Sequence, residues 1–325
     1  MIQVDQRQLG TSGLVVPSLG VGVWSWGDTR FWQYGQTYTR EDVTRAYRAC
    51  LDAGLNFFDT AELYGSGESE RLLGECIREN GRPVIIASKF APFPTRFSAH
   101  TLLQALDASL ERLGVEQIDL YQIHWPYTFL NVNDLMDTLA QAVRSGKVRA
   151  VGVSNYSARL MQKAHARLAR HDIPLASNQV HYSLLHRHPE SDGVLDACRE
   201  LKVALIAYSP LEQGLLTGKF RISNSDVALP GMARRLQSPG FRRSQRLKME
   251  PLMQTMETIG LTHDKTIGQV ALNWLLCRDE SVIPIPGARS ERQARENAGT
   301  IGWRLSSEEF ARIDLASREW LPKKR

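Results

Sequence analysis

Eight short apolar runs recur along the chain, separated by segments whose apolar residues fall on one face of a helix. The runs are "SLGVGV" near 18, "LNFFDT" near 55, "VIIASK" near 84 and "IDLYQIH" near 118, then "RAVGVS" near 149, "LASNQV" near 175, "VALIAYS" near 203 and "SVIPIPG" near 281. They are almost continuously apolar rather than alternating, as in strands covered on both faces. Between them, "TREDVTRAYRACLDAG" has a Thr cap, acids in the first turn and a glycine at its end. "SAHTLLQALDASLERLG" repeats that grammar, and "SARLMQKAHARLARH" and "TIGQVALNWLLCRD" also read as helices. Eight strands alternating with helices predict an α/β fold, a (β/α)₈ TIM barrel. The competing doubly wound sheet usually carries a GxGxxG after its first strand, which "GVGVWSWG" at Gly20–Gly27 does not match. "RQLGTSGLVVPSLG" predicts an N-terminal β-hairpin. The stretch from about Leu211 to Gln245, after the seventh strand, predicts a long irregular loop covering a ligand. No low-complexity linker interrupts residues 1–325, so a single domain is expected.

Composition narrows the function classes. At 42% hydrophobic and 23% charged residues the chain fits a soluble globular protein. No segment approaches the roughly 20 apolar residues of a membrane span, and "MIQVDQRQLG" is too polar to begin a secretory signal. Cys50, Cys76, Cys198 and Cys277 show no CxxC or Cys/His ligand spacing, so reduced helix residues, no metal site and a cytoplasmic location are expected. The net charge of +5 is a weak pointer to anionic partners. The densest basic run, Arg234–Lys248, lacks the interleaved aromatics of a nucleic-acid platform and reads as a solvated loop.

Barrel active sites lie at the C-terminal ends of the strands. The second strand ends at Asp59, with Tyr64 in the following loop; the third ends at Lys89 and the fourth at His124. Singly, Asp59 reads equally as a cap, Tyr64 as a rim aromatic and His124 as a structural histidine. Lys89 is harder to set aside, since lysine is rarely buried without a partner. Coincidence at three consecutive strand ends points to a site. A phenol with a pKa near 10 is a poor acid at neutral pH. A lysine beside it would lower that value, an aspartate would keep the lysine charged, and a histidine could orient a substrate oxygen. Such a set suits protonation of a carbonyl oxygen as hydride reaches its carbon.

With these residues in place, the chain resembles the aldo-keto reductases, from "LGVGVWSWG" through "DTAELYG", "SKF", "HWP", "VGVSNYS", "NQVHYS" and "YSPLEQGLLTGK" to "IPIPGARSERQAREN". "GVWSWGD", "IPLASNQV" and "GTIGW" are similar to the branch of cyanobacterial and plant plastid reductases, which includes pyridoxal reductases. The resemblance implies that Asp59, Tyr64, Lys89 and His124 form the catalytic tetrad, with Tyr64 the general acid. It also implies NADPH/NADP as cofactor, bound without a Rossmann fingerprint. Ser154, Asn155 and Gln179 would hold the carboxamide, and Tyr208 would stack on the nicotinamide. The strap Ser209, Leu211, Gly214, Leu215 and Lys219 would lie over the pyrophosphate. Past the eighth strand, Arg289 and Ser290 would take the 2′-phosphate, with Gln293, Glu296 and Asn297 nearer the adenine. The chain departs from vertebrate members in having Gly287 for a lysine and Gln293 for an arginine, which leaves Arg289 as the main phosphate ligand. Ordinary turn chemistry at "SNY" and "NQV", and a surface charge at Arg289, are the bland readings.

Trp24, Trp26, Phe90, Trp125 and Tyr127 fall near strand ends one, three and four, and are expected to line a substrate pocket, with Trp32 and Tyr34 as a wall. Rim packing is the alternative for any one of them. The expected partner is a small carbonyl substrate, with no nucleic acid and no membrane, on a monomer or weak oligomer. A second function stays open: an NADP(H)-binding regulatory subunit similar to potassium-channel β subunits. It would be expected to carry an appended segment before the first family motif, where this chain has only a few residues.

Overall fold

Each of the eight apolar runs becomes a strand of one parallel sheet in a computed structural model that describes residues 4–224 and 227–322. A hairpin precedes them, β1 (Gln6–Gln8) pairing antiparallel with β2 (Val15–Pro17). The sheet then runs β3 (Val21–Gly22), β4 (Phe57–Asp59), β5 (Ile85–Phe90), β6 (Ile118–Ile123), β7 (Val148–Ser154), β8 (Leu175–His181), β9 (Ala204–Tyr208) and β10 (Val282–Pro284). Neighbours in the chain are neighbours in the sheet. Its two ends meet where the Gly20 N–H donates to the Pro284 carbonyl at 2.9 Å and the Gly22 N–H to Pro286 at 3.1 Å. This seam closes the barrel and removes the open edges a sheet would otherwise expose. Gly22 is required there, because a Cβ would stand 2.9 Å from the Ile285 carbonyl oxygen.

Small side chains let the barrel close tightly. Ala87, Ala150, Ala176 and Ala204 share an inner core with Phe57 and Ile283, and the hairpin adds Leu9, Leu14 and Val16 to it. Gly10, at φ +57°, brings the hairpin so close that a Cβ would lie 2.7 Å from the Lys202 carbonyl and 2.9 Å from that of Ala176. Both belong to the N-terminal side of the strands, so the hairpin plugs that end. The C-terminal mouth stays open for function.

The expected helices form as Arg40–Asp52, Thr101–Leu113, Ala158–Ala169 and Ile267–Arg278. Thr39 with Asp42 and Thr266 with Gln269 make capping boxes, each satisfying backbone N–H groups at a helix start. Among the described residues no helix is long and apolar enough to cross a membrane. The stretch after β9 is less irregular than expected. It holds 3₁₀ turns at Glu212–Thr217 and Pro239–Phe241, a short helix at Met232–Gln237, and the start of a 21-residue helix, Arg243–His263. Pro251 lies inside that helix, where a proline ordinarily breaks it, yet Met249, Leu252, Met253, Met256 and Ile259 are buried at helical spacing and hold it through the proline.

Candidate active site

Strand alternation turns Lys89 into the barrel, where it is fully buried, and its ammonium must find partners there. It donates to Asp59 Oδ1 at 2.5 Å, to the Thr60 carbonyl at 2.8 Å and to the Tyr64 hydroxyl at 3.3 Å. Asp59 is 2% exposed, and its second oxygen accepts Gln179 Nε2 at 2.8 Å and Gln122 Nε2 at 3.2 Å. Gln122 escaped the sequence reading. Its signal was a glutamine inside an apolar strand, in register with Lys89. Tyr64 opens a 3₁₀ turn in which Gly65 (φ +57°), Ser66 (φ +57°) and Gly67 (φ +90°) are all left-handed. That turn carries the chain back against Gly27, whose carbonyl a Gly65 Cβ would meet at 2.9 Å. The glycines after Tyr64 therefore serve backbone geometry.

Burial works against the Lys89 charge, but Asp59 and Tyr64 outweigh it and hold its pKa above the usual lysine value. For Tyr64 the sequence expectation of a lowered pKa is corrected. Burial raises it more than the Lys89 ammonium lowers it, so the phenol stays protonated at neutral pH. Lys89 remains the cation that would stabilise a phenolate once formed.

His124 closes the set. Its ring meets Tyr64 edge-on at 5.6 Å, lies 4.7 Å from Trp125, and among the described residues has no partner for Nδ1. Burial, then Lys89, push the imidazole down to about 2. It therefore offers an N–H and no proton. Unfolding restores the ordinary value of 6.5, so His124 costs stability as pH falls below that value. For turnover, no acid limb from His124 is expected between about pH 5 and 8. Comparing the kcat/KM profile of the protein with that of His124→Gln checks this; a neutral-range limb that vanishes in the variant contradicts it.

From this polar floor one cavity of about 1170 Å³ extends across the barrel mouth. That exceeds the roughly 300–1,000 Å³ of a single small-ligand site and suits two ligands end to end. Trp24, Leu63 and Trp125 line the end near Tyr64 and His124. Ser154, Asn155, Gln179 and Tyr208 line the middle. Asn155, at φ +60°, donates to the His124 carbonyl at 3.2 Å and to Ser154 Oγ at 3.1 Å, and accepts the Tyr208 hydroxyl at 3.1 Å. Since Gln179 Nε2 is committed to Asp59, only its amide oxygen is left for a ligand. Ser209, Leu211, Gly214 and Lys219 continue the groove, which ends among Arg289, Gln293, Glu296 and Asn297.

The far end is cationic. The Lys219 ammonium, exposed on one side, is destabilised by desolvation in the groove and then by Arg234, Arg289 and Arg292, with Glu296 opposing. Cations crowded this way suit an anionic ligand. Arg234 corrects the reading of its basic run as solvated loop. It is half-buried, donates to the Gln213 carbonyl at 2.8 Å, and places its guanidinium 4.6 Å over Trp32. Burial and Arg289 push it down to about 10. The long segment was expected to cover a ligand, so its arginines belonged among the candidates.

Besides the fully buried Lys89 and the wall residue Tyr34, five expected residues stand apart from the cavity lining. Phe90 follows inward Lys89 on β5, so alternation turns it out into the core. Trp26 lies past the end of β3, fully buried, with its indole N–H on the Ala288 carbonyl at 2.8 Å. Tyr127 points to solvent and is 81% exposed. Leu215 is buried, and Ser290 accepts the Gln293 N–H as a helix cap. Trp32 does line the cavity, while Tyr34 turns edge-on to Tyr38 at 5.6 Å.

Residues 18–318 match the sequence pattern of the Aldo/keto reductase family. The chain is 37% identical over 319 residues to a chloroplastic pyridoxal reductase of Arabidopsis thaliana, covering 94% of this chain and 84% of that protein. It is 38% identical over 313 residues to an uncharacterised oxidoreductase of Mycobacterium tuberculosis, covering 94% and 91%. Among solved structures, an aldo-keto reductase from Klebsiella pneumoniae in complex with NADPH matches with a TM-score of 0.76 at 28% identity, covering 99% and 97% of the two chains. The glycerol dehydrogenase from Gluconobacter oxydans matches with a TM-score of 0.84 at 29% identity, covering 99% and 98%.

Proposed function

The chain belongs to the aldo/keto reductase family, and we propose that it reduces aldehydes and ketones to alcohols with NADPH, using Tyr64 as general acid. It is an NADP(H)-dependent oxidoreductase. The observation that carries the finer reading is the fully buried Lys89 ammonium, bonded at once to Asp59 and to the Tyr64 hydroxyl beside a neutral His124. NADPH when bound supplies a hydride to the carbonyl carbon. Tyr64 gives its proton to the carbonyl oxygen as that oxygen takes the π electron pair, and Lys89 stabilises the resulting phenolate until solvent reprotonates it. The His124 N–H fixes the direction of the oxygen. Asn155, Ser154 and the Gln179 amide oxygen suit the carboxamide, and Tyr208 offers a ring face to the nicotinamide. Lys219, Arg234, Arg289 and Arg292 provide the positive charge that the phosphates require.

The aromatic end of the cavity, Trp24 with Trp125 beside His124, favours a flat aldehyde. The plant pyridoxal reductase among the relatives makes pyridoxal our proposed first substrate to test. The experiment is a screen of NADPH oxidation against a carbonyl panel including pyridoxal, repeated with NADH. Turnover with NADPH is expected; oxidation of neither cofactor with any carbonyl, despite NADPH binding, would move the protein to a regulatory NADP(H)-binding role. Arg289→Ala is expected to weaken NADPH binding by about 10- to 100-fold, from the loss of a charged hydrogen bond, and to leave NADH binding nearly unchanged. Fluorescence titration with both cofactors checks this.

A further inference from the structure

Behind Tyr208 three imidazoles follow one another, the first two stacked and the third tilted. His181 lies on the tyrosine ring at 5.2 Å with the planes 16° apart, His186 lies on His181 at 3.9 Å and 8°, and His188 follows at 4.4 Å and 30°. None of the three lines the cavity, whereas Tyr208 does. His181 ends β8, and its Nε2 stands 2.6 Å from Glu212 Oε1, which also accepts the Ser183 hydroxyl at 2.6 Å. His186 is held neutral, pushed down to about 4 by burial and then by His181 and His188.

Glu212 is an unusual acid. Its side chain is 13% exposed and its backbone sits at φ +49°, followed by Gln213 at φ +54° and Gly214 at φ +94°. Successive non-glycine residues in the left-handed region persist only where their surroundings hold them. This turn places Gln213 and Gly214 on the groove, and the Gln213 carbonyl takes the Arg234 guanidinium. Both the imidazole of His181 and the hydroxyl of Ser183 meet the same Glu212 oxygen, which ties this turn to the end of β8.

We propose that His181 and Glu212, with Ser183, form a positioning clasp for the cofactor. The pair backs the Tyr208 shelf from behind and holds the Leu211–Gly214 turn in the shape that meets the dinucleotide. It sets how tightly the cofactor is held, and leaves the rate of the chemical step to the Tyr64 centre. The clasp rests on the NADP(H) reading above.

The test uses the full-length protein, NADPH titration by tryptophan quenching, steady-state kinetics and thermal unfolding. Glu212→Ala and His181→Phe, the latter keeping a stacked ring without its hydrogen bond, are each expected to weaken NADPH binding about ten-fold. In both, kcat at saturating cofactor should change by less than about three-fold, as expected where uniform binding alone is lost. Glu212→Gln keeps the acceptor oxygen and should restore binding to within about two-fold of the unsubstituted protein. NADPH affinity equal to that of the unsubstituted protein in both disabling variants overturns the clasp while leaving the function intact. So does a fall in kcat matching the fall in affinity, or failure of Glu212→Gln to restore binding. No NADPH binding by the unsubstituted protein overturns the functional reading and the clasp together.

Discussion

Replacing Tyr64 by Phe is expected to lower kcat for aldehyde reduction by about 10²–10⁴-fold, the usual worth of a positioned general acid, with NADPH affinity preserved. The ring keeps its neighbours in the variant, with Trp24 at 6.2 Å and His124 at 5.6 Å between ring centroids, so the wall of the site survives. What disappears is the one hydroxyl held 3.3 Å from a buried ammonium. His124 cannot take over as acid, because its imidazole is neutral down to about 2. Stopped-flow measurement of single-turnover hydride transfer, beside cofactor titration, separates the two quantities. Equal turnover in the variant would remove Tyr64 from its role.

The second large effect is on stability. Asp59→Asn leaves the fully buried Lys89 ammonium without its counter-ion, and breaking one side of such a pair costs about 3–5 kcal/mol. Lys89→Met should cost less, since Asp59 would retain the two amide donors from Gln122 and Gln179. The double variant Asp59→Asn with Lys89→Met should recover much of the loss while remaining inactive, because the buried charge itself is gone. The pH dependence has a definite sign. Lys89 titrates above the unfolded value of 10.5, so its contribution is fully present below that value and is lost as pH rises through the higher folded one. Urea unfolding of all three variants at neutral and alkaline pH measures this. An Asp59→Asn protein as stable as the unsubstituted one contradicts the ion pair's role.

How far these features were legible in the sequence follows from what each residue depends on. The eight barrel strands were readable because burial on both faces makes their apolar runs continuous, and Asp59, Lys89 and His124 because each lies at or beside a strand's C-terminal end. Phe90 was misjudged by ignoring that its neighbour Lys89 points inward, a rule of period two available from sequence alone. Trp26 lies beyond the strand, where alternation no longer decides direction, and its burial depends on the Ala288 carbonyl far along the chain. Arg234 was hidden in a basic run whose function follows from the fold of the segment carrying it over Trp32. Gln122 and the Glu212–His181 pair could not be found by motif, since their roles arise from contacts 63 and 31 residues apart.

The central claim is that this site transfers hydride to a carbonyl. The most direct measurement incubates the protein with pyridoxal and NADPH deuterated at the nicotinamide C4, followed by mass spectrometry of the product alcohol. Deuterium on the carbinol carbon, absent from the Tyr64→Phe reaction on the same timescale, is the expected result. Tight NADPH binding with no deuterium passed to pyridoxal or to any aldehyde of the panel would contradict it.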